Sequence, residues 1–76
     1  MDSSDYIEVK VSIDPYTEEN AEILEAMLSD LPYDSFMTDG DAVKCYIQKQ
    51  QFDRTALKAV LAALPFKTMF EAAPVP

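Results

Sequence analysis

Histidine is absent from this chain, and glycine, cysteine and arginine each occur once. Without histidine there is no side chain whose ordinary pKa suits general acid–base work near neutrality, and the commonest metal ligand is missing. The single thiol, Cys45, cannot close an internal disulfide, and paired-thiol metal capture and dithiol redox chemistry both need a second one. The single glycine, Gly40, rules out the glycine-rich loops that cradle dinucleotides, nucleotides or S-adenosylmethionine. A small phosphatase would place its arginine in an anion-binding loop, whereas Arg54 falls at the start of a predicted helix. No catalytic residue, cofactor-binding residue or metal ligand is predicted in these 76 residues.

Basic residues are also scarce. Fourteen acids face six bases, giving a net charge of −8. Affinity for phosphates comes largely from lysine and arginine displacing counterions, so nucleic acid is not an expected partner. Stacking of RNA bases on Tyr6 and Tyr46 fails for a second reason: the third strand, Ala42-Val-Lys-Cys-Tyr-Ile47, lacks the basic, glycine and aromatic consensus of RNA-recognition sheets. Anionic headgroups would repel the chain, and no apolar run approaches the roughly 20 residues that span a bilayer. No leading segment joins a basic stretch to an apolar core and a cleavage site, so a cytoplasmic protein without membrane attachment is expected. The carboxylates Glu18, Glu19, Glu22 and Glu25 lack the oxygen-rich loop that a hard cation needs, so no metal is expected either.

Short apolar blocks punctuated by turn residues remain. Tyr6 to Ile13 alternates strictly, setting Ile7, Val9, Val11 and Ile13 against Glu8, Lys10 and Ser12, as a half-buried strand does. Asp14-Pro15 breaks it, Thr17 is placed to cap a helix, and Glu18 and Glu19 suit its first turn. Ile23, Leu24, Met27, Leu28 and Leu31 give this helix an apolar stripe, and it is predicted to run to about Asp30 before Pro32. Tyr33 to Thr38 is a short strand, Asp39-Gly40-Asp41 a turn with Gly40 at positive φ, and Ala42 to Gln48 a second alternating strand with Cys45 inward, an inert core thiol. Phe52 and Asp53 read as staple and cap of a second helix, with Leu57, Val60, Leu61 and Leu64 as its stripe and Pro65 beyond it. Phe66 to Glu71 is the last strand. Phe36, Met37, Phe52, Phe66, Met69 and Phe70 read as core filling, with the inward member of each adjacent pair left open.

The order strand, helix, strand, strand, helix, strand predicts a ferredoxin-like βαββαβ sandwich, an α+β fold with two helices on one face of a four-stranded antiparallel sheet. Residues 1–5 are expected as a disordered tail, 6–71 as the domain and 72–76 as the beginning of a linker.

The words Tyr6-Ile-Glu-Val, Tyr33-Asp-Ser-Phe-Met-Thr-Asp-Gly-Asp-Ala-Val-Lys-Cys-Tyr-Ile47 and Phe52-Asp-Arg-Thr-Ala-Leu-Lys58 resemble the amino-terminal domain of the ribosomal protein L-eleven methyltransferases. The resemblance covers residues 6 to 71. Pro32 departs from it, standing where those sequences tend to have glycine. It implies a ferredoxin-like domain that captures a basic ribosomal protein of the large subunit. A separate carboxy-terminal domain would bind S-adenosylmethionine and carry out the methyl transfer, making these residues a fragment of a longer enzyme.

From alternation and charge, Glu8, Lys10, Lys44 and Tyr46 on the open sheet face are the expected protein-binding residues. Glu18, Glu19 and Glu22 are expected to add attraction for a basic partner. The alternative is a small-molecule, amino-acid-sensing module of the same strand order, for which Gly40 alone offers a ligand turn.

Overall fold

The structure is a computed structural model and describes residues 5–75. Six elements follow the expected order: β1 (Tyr6–Asp14), α1 (Glu18–Leu28), β2 (Tyr33–Asp39), β3 (Ala42–Gln48), α2 (Arg54–Ala62) and β4 (Lys67–Pro74). A 3-10 turn at Lys49–Gln51, which the sequence pattern did not signal, joins β3 to α2. The strands form one antiparallel sheet in the order β2-β3-β1-β4, the ferredoxin-like arrangement.

Period-two alternation builds the two central strands. Ile7, Val9, Val11 and Ile13 of β1 and Val43, Cys45 and Ile47 of β3 are all buried. They pair directly, Ile7 with Ile47, Val9 with Cys45 and Val11 with Val43. Leu24 and Leu28 of α1 and Leu57 and Leu61 of α2 close over them, forming the second layer. Ala21 belongs to the inward face of α1, while Ile23, Met27 and Leu31 only flank it. Apart from the Tyr33 hydroxyl and the Cys45 thiol, no polar or charged side chain is buried among the described residues.

Both helices start where side chains satisfy their first free N–H groups. Thr17 Oγ1 accepts from Asn20 N at 3.0 Å, and Asp53 Oδ1 accepts from Ala56 N at 3.1 Å. Both end earlier than their apolar stripes. α1 stops at Leu28 rather than near Asp30, and α2 stops at Ala62 although Leu64 is still buried. Leu31 and Leu64 each precede a proline, and the ring of that proline disfavours helical backbone at the residue before it. Replacing Asp53 by alanine is expected to cost about 1 kcal/mol, lowering the thermal midpoint by roughly 4–8 °C, while asparagine at 53 retains most of it. Melting curves of the two variants check this.

β2 breaks the simple alternation. Its register against β3 shifts between Tyr33 and Ser35, so Tyr33 faces Ile47 and Phe36 faces Cys45, both on the core side. The bulge therefore settles one open pair: Phe36 turns inward and Met37 outward, 59 % exposed. In β4 the inward partner is Phe70, opposite Val11, and Met69 is 78 % exposed.

The end of the chain differs from expectation. Ala72, Ala73 and Pro74 are not linker but the last residues of β4, opposite Val9, Glu8 and Ile7. Val75 N donates to Tyr6 O at 3.0 Å. A proline fits here because β4 is an edge strand, and alternate residues turn their N–H away from the sheet. Of the expected tail, residues 1–4 lie outside the described residues, as does Pro76.

Candidate functional site on the open sheet face

Helices cover one side of the sheet only, so the alternate residues of all four strands form a second, uncovered face. Reading across from β2 to β4, one row is Ser35, Tyr46, Glu8 and Ala73. The next is Met37, Lys44, Lys10 and Glu71, and the third is Asp39, Ala42, Ser12 and Met69. Glu8, Lys10, Lys44 and Tyr46 are thus brought together at the centre of this face, each partly exposed.

Their polar groups are interlocked. Tyr46 Oη donates to Glu8 Oε2 at 3.0 Å, and this hydrogen bond to a carboxylate raises the phenol's pKa. Lys10 and Lys44 stand directly opposite one another, an arrangement that is unfavourable unless an anion intervenes. Asp39 Oδ2 supplies it, 3.4 Å from Lys44 Nζ and 3.7 Å from Lys10 Nζ. The Asp39 contact raises the Lys44 pKa. Asp39 read as a turn residue in the sequence. Its second role had a signal there, since two facing lysines require a nearby counter-charge.

Met37 and Met69 bracket this charged centre on the two edge strands. An unbranched, polarisable thioether adapts to varied surfaces, which suits a contact face. By contrast, Glu18, Glu19 and Glu22 lie on α1, exposed in the other layer. They do not join the open-face cluster. Charges on opposite sides of a sandwich are separated by a Debye length or more at physiological salt, so the helix carboxylates are screened from the open-face cluster.

The remaining features are structural. Cys45 is fully buried, its thiol donating to Val9 O at 3.4 Å, and burial pushes its pKa up to about 12. Arg54 lies with its guanidinium carbon 5.3 Å from the Phe70 ring centre and 6.0 Å from that of Phe52. A cation in the first turn of a helix opposes the helix dipole, and the two aromatic faces offset that.

Gly40 has φ +63° in the two-residue β2–β3 turn, and a Cβ there would meet nothing within 4 Å. It serves the turn. An open groove of about 810 Å³ is lined by residues of α2, β4 and the end of β1, Leu61, Leu64, Phe66, Phe70 and Asp14 among them. Among the described residues, no cluster of three or more metal-ligating side chains occurs, and no helix is long and apolar enough to cross a membrane.

No family model, curated protein or solved structure matches the chain.

Proposed function

We propose that this domain recognises protein substrate for an S-adenosylmethionine-dependent ribosomal protein methyltransferase, working in the cytoplasm. It captures a basic ribosomal protein of the large subunit, and methyl transfer takes place on a separate domain. The observation that carries this reading is the open sheet face, where Glu8, Lys10, Lys44, Tyr46 and Asp39 are held in fixed polar pairs between two exposed methionines. Preorganised side chains lose little freedom on binding, and a polar centre with adaptable apolar flanks is a recognisable contact surface. The resemblance over residues 6 to 71 supplies the substrate class.

The net charge of −8 supports it independently, because an acidic domain steers a lysine-rich partner and raises encounter rate more than final affinity. Holding the target amine beside a methyl donor on another domain then turns a bimolecular meeting into a positioned reaction.

Titration of the labelled domain with the basic ribosomal protein is expected to shift the amide signals of β1 and β3, with weaker association as salt rises. Exchanging Tyr46 for alanine is expected to weaken binding about tenfold, given the 1–2 kcal/mol typical of a central aromatic contact. Shifts confined to the exposed face of α1, or none at all, would remove the open face from this role.

A further inference from the structure

β4 forms one edge of the sheet, and its backbone groups alternate in direction. Val75 N bonds back to Tyr6 O, and Glu8, Lys10, Ser12 and Asp14 pair with Ala73, Glu71, Met69 and Lys67. Those odd-numbered residues of β4 therefore turn their N–H and C=O toward β1. Thr68, Phe70 and Ala72 turn theirs outward, with no strand beyond them among the described residues.

The residues along this edge are complementary to themselves. An antiparallel strand pair can only match outward-facing residues with one another. A two-fold axis through Met69 satisfies this, setting Thr68 against Phe70 of the second copy and Met69 against Met69. The same register places Lys67 opposite Glu71 twice, both on the open face, where cross-strand opposite charges stabilise pairing. Met69, 78 % exposed in the single chain, would be covered at the axis.

The other edge has no such match. β2 carries Asp34 and Asp39 and no basic residue, and it is interrupted by its bulge, both of which discourage strand addition.

We infer that two copies of this domain associate through β4, joining their sheets into one eight-stranded antiparallel sheet with the two open faces side by side. The axis passes through Met69, and reciprocal Lys67–Glu71 pairs fix the register.

Sedimentation equilibrium on the chain up to millimolar concentration tests this, with circular dichroism confirming the fold of each variant. The average mass is expected to rise from 8.5 kDa toward twice that value as concentration increases. K67E and E71K each set like charges against one another at both ends of the pairing, and each is expected to weaken association about tenfold or more. Combined, they restore opposite charges and are expected to restore association. The two single reversals move the net charge in opposite directions, so loss in both assigns the effect to the pairs and not to overall repulsion. K49E, which adds the same charge as K67E away from β4, is expected to leave association within about twofold, as a distant surface charge does. A monomer at every concentration, or a dimer indifferent to both single reversals, would overturn the inference.

Discussion

Replacing Leu24 by alanine is expected to cost about 2–5 kcal/mol, the range for removing a buried leucine side chain from a core that relaxes only partly. Leu24 is fully buried and sits on the inward face of α1 between Ala21 and Leu28, against the central strands. A domain of this size has roughly 4–11 kcal/mol of total stability, so the substitution removes a large share of it. At roughly 4–8 °C per kcal/mol, the thermal midpoint should fall by about 8 °C or more. Met37→Ala serves as the comparison. Its side chain is on the open face, and its loss should change stability by less than about 0.5 kcal/mol. Equal midpoints for the two variants would show that α1 does not depend on this packing.

A second large effect concerns Cys45. In the folded protein a thiol reagent at pH 8 should modify it on the order of 10³-fold more slowly than in denaturant, because reaction must wait for opening of the core. The thiol has no exposed surface, and burial raises its pKa from an ordinary 9.0 to about 12, so almost none of it is thiolate at that pH. Tyr33 behaves alike: burial, then the neighbouring Cys45, push its phenol to about 12, and its hydroxyl has no hydrogen-bond partner among the described residues.

Both folded-state pKa values lie above the unfolded ones, so the fold favours the neutral, protonated forms. Their contribution to stability is complete below about pH 9 and is lost as pH rises toward 12. Melting midpoints measured from pH 7 to 11 should therefore decline at the alkaline end, with the Cys45→Ala variant declining less. Labelling of the native thiol at the denatured rate would contradict the buried placement.

The parts of this fold legible in the sequence are those set by local periodicity. β1 and β3 show unbroken alternation because each has one face on the core and one in solvent. The helix caps Thr17 and Asp53 could be read because their hydrogen bonds span three residues. β2 resisted reading because a bulge changes the phase of alternation midway, and a bulge is fixed by the partner strand and not by local composition. The end of β4 is not legible in the sequence, since Ala72-Ala-Pro74 has little strand propensity and is held by pairing with β1, a partner more than sixty residues away in sequence.

The candidate site divides the same way. Glu8, Lys10, Lys44 and Tyr46 follow from the parity of two regular strands. Asp39 reaches them only because the β2–β3 turn fixes its register beside Ala42, whereas Glu18, Glu19 and Glu22, expected from charge to add attraction, lie on α1 in the other layer. Arg54 lies between Phe52 and Phe70, which are eighteen residues apart, so no local pattern announces it.

The bond from Val75 N to Tyr6 O brings the start of the first strand beside the end of the last. Tension applied between these two points would meet the sheet in its weakest direction. β1 and β4 run antiparallel with the start of one beside the end of the other, so the load falls on one rung of the ladder at a time, and β4 peels away as a zipper opens. A domain wired in this way yields readily to an unfolding machine that pulls on either terminus while the other is held, even though its core is tightly filled.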